Sequence, residues 1–109
     1  MTINKYEIQI LLEIHDLIQT NFQDHIFVKD ILNNYKISES TLSKSFKQLF
    51  HQTISQYRLE CAMYHAKMLI EQGHQVKTVA AMMGYKTTGS FSRAFRKIYF
   101  FSPGKWAQL

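Results

Sequence analysis

Apolar residues recur along this chain three and four positions apart, the spacing that lines one face of an α-helix. Ile10, Leu11, Ile14, Leu17 and Ile18 predict a first helix from about Lys5 to Thr20. A short helix over 28–34 follows, with Ile31 and Leu32 inward, and Tyr35-Lys36-Ile37 reads as a tight turn. Ser38 suits the N-cap of a helix reaching Phe50, because its hydroxyl can accept an orphan backbone N–H of the first turn. Thr53 can cap a long helix over 54–72, with Ile54, Tyr57, Cys61, Ala66, Leu69 and Ile70 as its buried stripe and Gly73 as its stop. Then come a short helix over 76–83, a turn at Gly84-Tyr85-Lys86, a cap at Thr87 or Thr88 and a helix over 90–99. Ser102 followed by Pro103 opens a last turn carrying Trp106, with Pro in the first helical position where its missing N–H costs nothing. The expectation is an all-α chain of seven helices.

Part of this pattern occurs twice. Leu42 to Tyr57 reappears 49 positions later as Phe91 to Trp106, so that Leu42, Phe46 and Leu49 correspond to Phe91, Phe95 and Ile98. Each copy sets an apolar stripe behind and Ser plus a base in front. A short helix, a tight turn and a second helix make a helix-turn-helix, whose second helix enters the major groove of DNA. Val79-Ala80-Ala81-Met82-Met83-Gly84-Tyr85 carries the pieces in the second copy: small Ala80 at a close helix crossing and Gly84 at the turn. The predicted organisation is a helix-turn-helix subdomain over 1–52, a linker helix over 53–73 and a second subdomain over 74–109. A linker of about 28 Å approaches the roughly 34 Å repeat of B-DNA, so both partner helices could reach successive major-groove segments.

Charge sharpens the picture. The formal net charge is +5 over 109 residues, yet after Glu71 there is no acid at all, while Lys77, Lys86, Arg93, Arg96, Lys97 and Lys105 stand unopposed. Such a gradient attracts polyanions. The length allows one ordinary core or two small ones, and no run of about 18 apolar residues could span a bilayer. Without a leader pattern and with Cys61 as the one cysteine, the chain reads as cytoplasmic, free of disulfides and of a Cys-built zinc site. His15, His25, His51, His65 and His74 are scattered without ligand spacing, and there is no Gly-rich phosphate loop. Neither enzyme, nor metal, nor cofactor is expected. Phe46, Phe91, Phe95, Tyr57 and Trp106 fall at core spacing, and Met82 and Met83 read as packing residues.

Taken together, Val79 to Tyr85, Ser90-Phe91-Ser92-Arg93-Ala94-Phe95-Arg96-Lys97, Ser102-Pro103 and Trp106, with Ala66-Lys67-Met68-Leu69-Ile70 in the long helix, resemble the DNA-binding domain of the AraC/XylS family of bacterial transcription regulators. The likeness covers essentially the whole chain. It implies a seven-helix bipartite domain that binds asymmetric sites on double-stranded DNA, usually activates by contacting RNA polymerase, and acts as a monomer on DNA unless attached to a separate dimerising region. Ser40, Ser43, Lys44 and Lys47 lie opposite the first stripe and match positions through which the family contacts DNA. Thr88, Ser90, Ser92, Arg93, Arg96 and Lys97 are the DNA-facing set of the second, with Arg93 suited to a guanine edge. Lys36, Thr53, Lys86, Ser102 and Lys105 are the expected phosphate contacts. The chain departs from the family at His51 and Phe100, where glycine is usual, so both partner helices are expected to end without the left-handed residue that glycine supplies cheaply. The alternative from charge alone is a basic helical module that grips an acidic protein and does not bind DNA.

Overall fold

A computed structural model describes residues 2–20, 33 and 35–109, which form six helices and no strand. These are α1 (Lys5–Thr20), α2 (Glu39–Phe50), α3 (Ile54–Glu71), α4 (Val76–Met82), α5 (Thr88–Tyr99) and α6 (Pro103–Gln108). The architecture is all-α, and the expected helix over 28–34 lies outside the described residues. None of the described helices is long and apolar enough to cross a membrane. Two compact units divide the chain, residues 1–58 and 59–109, and the boundary falls inside α3.

Most helix starts are fixed by side chains three residues apart. Asn4 Oδ1 accepts from the Glu7 amide at 2.8 Å, and Ser38 Oγ from the Thr41 amide at 3.1 Å. Thr53 Oγ1 accepts from the Gln56 amide at 3.1 Å while Gln56 Oε1 accepts from the Thr53 amide at 2.8 Å, a reciprocal pair that satisfies two orphan donors. Thr87 Oγ1 accepts from the Ser90 amide at 3.1 Å, so α5 begins at Thr88, two residues earlier than its apolar period announces. Each such cap contributes about 1 kcal/mol.

In the first unit Ile10, Leu11, Ile14 and Ile18 of α1 and Leu42 and Phe46 of α2 are buried, and the two helices are in contact. Leu17 was expected inward but is 39% exposed, because 100° per residue puts it at the border of the stripe that the other four define. Rings close the core: His15 stacks on Phe50 at 4.5 Å and on Tyr57 at 4.2 Å, and Phe46 meets Phe50 at 4.6 Å. The Tyr35 hydroxyl donates to the Glu13 carboxylate, tying the turn before α2 to α1. That hydrogen bond, with some burial and the charges of Glu13 and Tyr6, raises the Tyr35 pKa above its ordinary value.

The second unit is built around Met63, Ala66 and Ile70 of α3, Val79 and Ala80 of α4, and Phe91 and Phe95 of α5, all buried. Met63 replaces the expected Cys61 and Ile54 in the buried set; both of those are half-exposed. The single stripe predicted for α3 fails because Tyr57 belongs to one core and Met63, Ala66 and Ile70 to the other. Met83 packs on the cluster, whereas Met82 is 49% exposed and packs less than expected. Gly73 (φ 98°) and Gly84 (φ 85°) take the left-handed turns that end α3 and α4.

Candidate nucleic-acid interface

α2 and α5 are held the same way, and that fixes which side chains face outward. Leu42 and Phe46 on one, and Phe91 and Phe95 on the other, are completely buried. Each buried large apolar side chain is worth about 1.5–3 kcal/mol, so neither helix can roll about its axis without forfeiting several. On the opposite side of α2 the structure exposes Ser40, Ser43, Lys44 and Lys47. On α5 it exposes Thr88, Arg93, Arg96 and Lys97, with Ser90 and Ser92 half-buried on the flanks. Of the residues expected to meet phosphates, Lys36, Lys86 and Lys105 are exposed, while Thr53 and Ser102 are half-buried caps. Ser102 Oγ accepts from the Lys105 amide at 3.2 Å.

The two helices also end alike. His51 (φ 61°) and Phe100 (φ 68°) adopt the left-handed conformation, and their amides donate to the Lys47 and Arg96 carbonyls, each at 2.8 Å. The expectation of a different closure is therefore corrected: the left-handed residue is present in both copies and a side chain bears its cost, about 1–2 kcal/mol. Phe100 projects outward, 84% exposed.

Sequence reading missed several contacts that hold these faces in place. The Arg93 Nη2 donates to Ser90 Oγ at 3.4 Å, and Ser90 Oγ lies 2.8 Å from Thr87 Oγ1. Lys67 Nζ sits over the rings of Tyr64, Tyr99 and Trp106, 5.2, 5.4 and 5.5 Å from their centroids, and 4.0 Å from Glu71 Oε1. Trp106 Nε1 donates to the same carboxylate oxygen at 3.2 Å. This cluster docks α6 against α3 and the end of α5. Burial, then the nearby Glu60, Tyr64 and Glu71, raise the pKa of the Tyr99 phenol above its usual value. The available signal was the i, i+4 pair of Lys67 and Glu71, which says nothing of the Tyr99 and Trp106 rings, far along the chain.

Comparison with known proteins bears on the family and the fold. The family profile described as a helix-turn-helix domain matches residues 32–108. The lactose operon transcription activator of Staphylococcus xylosus is 33% identical over 92 residues, covering 84% of this chain and 33% of that protein. The transcriptional regulator YdeO of Escherichia coli K12 is 43% identical over 76 residues, 70% of this chain and 30% of that protein. The chain thus spans about a third of the length of these relatives. In fold it is similar to a crystal structure of a transcriptional regulator from Chromobacterium violaceum, described as an AraC-type DNA-binding domain-containing protein. That likeness has a TM-score of 0.81 at 23% identity and covers 96% of this chain and 95% of that one.

Proposed function

The chain belongs to the AraC-type helix-turn-helix family of DNA-binding transcription regulators, and on that premise we propose that it activates transcription by inserting α2 and α5 into successive major-groove segments of a promoter site. The observation that carries the reading is the pair of outward faces, Ser40, Ser43, Lys44 and Lys47 on α2 and Thr88, Arg93, Arg96 and Lys97 on α5, each backed by fully buried rings or aliphatics. Arg93 pairs with a guanine edge through its forked donors. Lys36, Lys86, Arg96, Lys97 and Lys105 neutralise phosphates, helped by the helix starts at Thr53 and Ser102. The domain works in the cytoplasm, binds its site as a monomer unless joined to a dimerising region, and contacts RNA polymerase. Activation is supported by the Staphylococcus xylosus relative, whose name states that role. A module that grips an acidic protein has no counterpart among the relatives named above.

The test is a mobility shift on genomic fragments across a salt series. Five cations on phosphates give a slope of log K against log salt of about −4.5. Protection of two stretches about one helical turn apart supports the two-helix docking. Absence of any duplex complex at low salt overturns the reading.

A further inference from the structure

α2 and α5 are copies, yet the residue at the centre of the outward face differs: Lys44 in one, Arg93 in the other. Their surroundings differ too. In the first unit Ser38 Oγ donates to Thr41 Oγ1 at 2.8 Å, and no hydrogen bond or ion pair ties Lys44 to it among the described residues. In the second, Thr87 Oγ1 and Ser90 Oγ are again 2.8 Å apart, and here the Arg93 guanidinium donates to Ser90 Oγ. An arginine can only donate, so the Ser90 oxygen is an acceptor toward Arg93 and its one proton is free to go to Thr87 Oγ1. The hydroxyl's one donor is then engaged inside the protein, which leaves it none for a phosphate oxygen or for the acceptors of a guanine edge. The guanidinium lies beside Gly89, where an added methyl would be in ordinary van der Waals contact with Arg93 Nη1, at 3.9 Å. Its counterpart, Ser40, carries a side chain.

From this we infer that Ser90 is a positioning residue: it holds the Arg93 fork over Gly89 for a guanine edge and does not itself touch DNA. The inference rests on the DNA-binding reading above and deepens it. Of the five N–H donors on arginine Ser90 engages one, which leaves enough for a bidentate pairing. A fork held before encounter loses less freedom on binding, so α5 reads sequence. Lys44, an unheld point charge on a flexible stem, supplies attraction with little base preference. The two copies have divided the work.

Ser90→Ala removes the acceptor and leaves Thr87 to cap the Ser90 amide, and Ser90→Thr keeps a hydroxyl at a position where the first copy already carries Thr41. Affinities of the wild type and both variants are measured by mobility shift on a site selected from a random pool and on its single-base variants, with a salt series for each. Ser90→Ala is expected to lower discrimination about fivefold at one guanine position and to leave the salt slope unchanged, and Ser90→Thr to restore the discrimination. A uniform weakening on every sequence would make Ser90 a phosphate contact and overturn the inference; a salt slope reduced by about one would overturn it too, because the charge that Ser90 holds, Arg93, would then sit on a phosphate and not on a base; so would unchanged discrimination in Ser90→Ala. A wild type that binds no duplex fails earlier, at the DNA-binding reading itself. Circular dichroism of each variant separates loss of α5 from loss of the Arg93 contact.

Discussion

Ser45 is completely buried and its Oγ has no hydrogen-bond partner among the described residues, although the second copy carries Ala94 at the same register. Replacing Ser45 by Ala should therefore stabilise the first unit. A buried hydroxyl without a partner costs about 1–3 kcal/mol, and Ala gains about 0.5 kcal/mol over Ser inside a helix. Against this, the void left by one oxygen costs about 0.5 kcal/mol. The expected net gain is about 1–3 kcal/mol. Urea unfolding followed by circular dichroism measures it: with a gain near the middle of that range and a slope of about 2 kcal/mol per molar, the midpoint should rise by about 1 M at unchanged slope. An unchanged or lowered midpoint would refute the reasoning, showing that the hydroxyl is satisfied in solution, for example by bending back to the preceding turn.

Other substitutions probe the remaining features. His51→Gly and Phe100→Gly each release a left-handed side chain and should gain about 0.5–1 kcal/mol, read from thermal midpoints; a loss at Phe100 would mean its ring contacts outweigh the backbone cost. Lys67→Met keeps the stem and removes the charge from the three rings and Glu71. A destabilisation of about 1 kcal/mol is expected, with faster hydrogen exchange in α6, and unchanged exchange would show that the ammonium does not hold that helix. Arg93→Ala should cost about 1–3 kcal/mol of specific binding and relax preference at one position, whereas equal affinity and equal preference would remove Arg93 from the interface.

What could be read from the chain was whatever depends on near neighbours in sequence. Ser38, Thr53 and Ser102 cap helices because a hydroxyl and an amide three residues on meet by helix geometry alone, and the twofold recurrence of Leu42-Phe46 and Phe91-Phe95 assigned the buried and exposed faces of α2 and α5. Reading failed where a residue answers to two partners. α3 serves both cores, so Met63 is buried and Cys61 is not, which no single period expresses. His51 and Phe100 take a backbone conformation their side chains disfavour because closure of α2 and α5 needs it, and tertiary demand outweighs local preference there. The Thr87–Ser90–Arg93 chain was invisible because it depends on which rotamer an exposed arginine adopts.

One consequence of the Lys67 cluster is optical. Trp106 is the chain's one tryptophan, and its indole is half-buried, hydrogen-bonded to Glu71 and flanked by Tyr99. Its fluorescence is therefore an intrinsic gauge of whether α6 is seated: release of the indole into water should shift emission to longer wavelength, and the first unit, which has no tryptophan, contributes nothing to that signal. Melting of the second unit can be followed by colour alone, without a label.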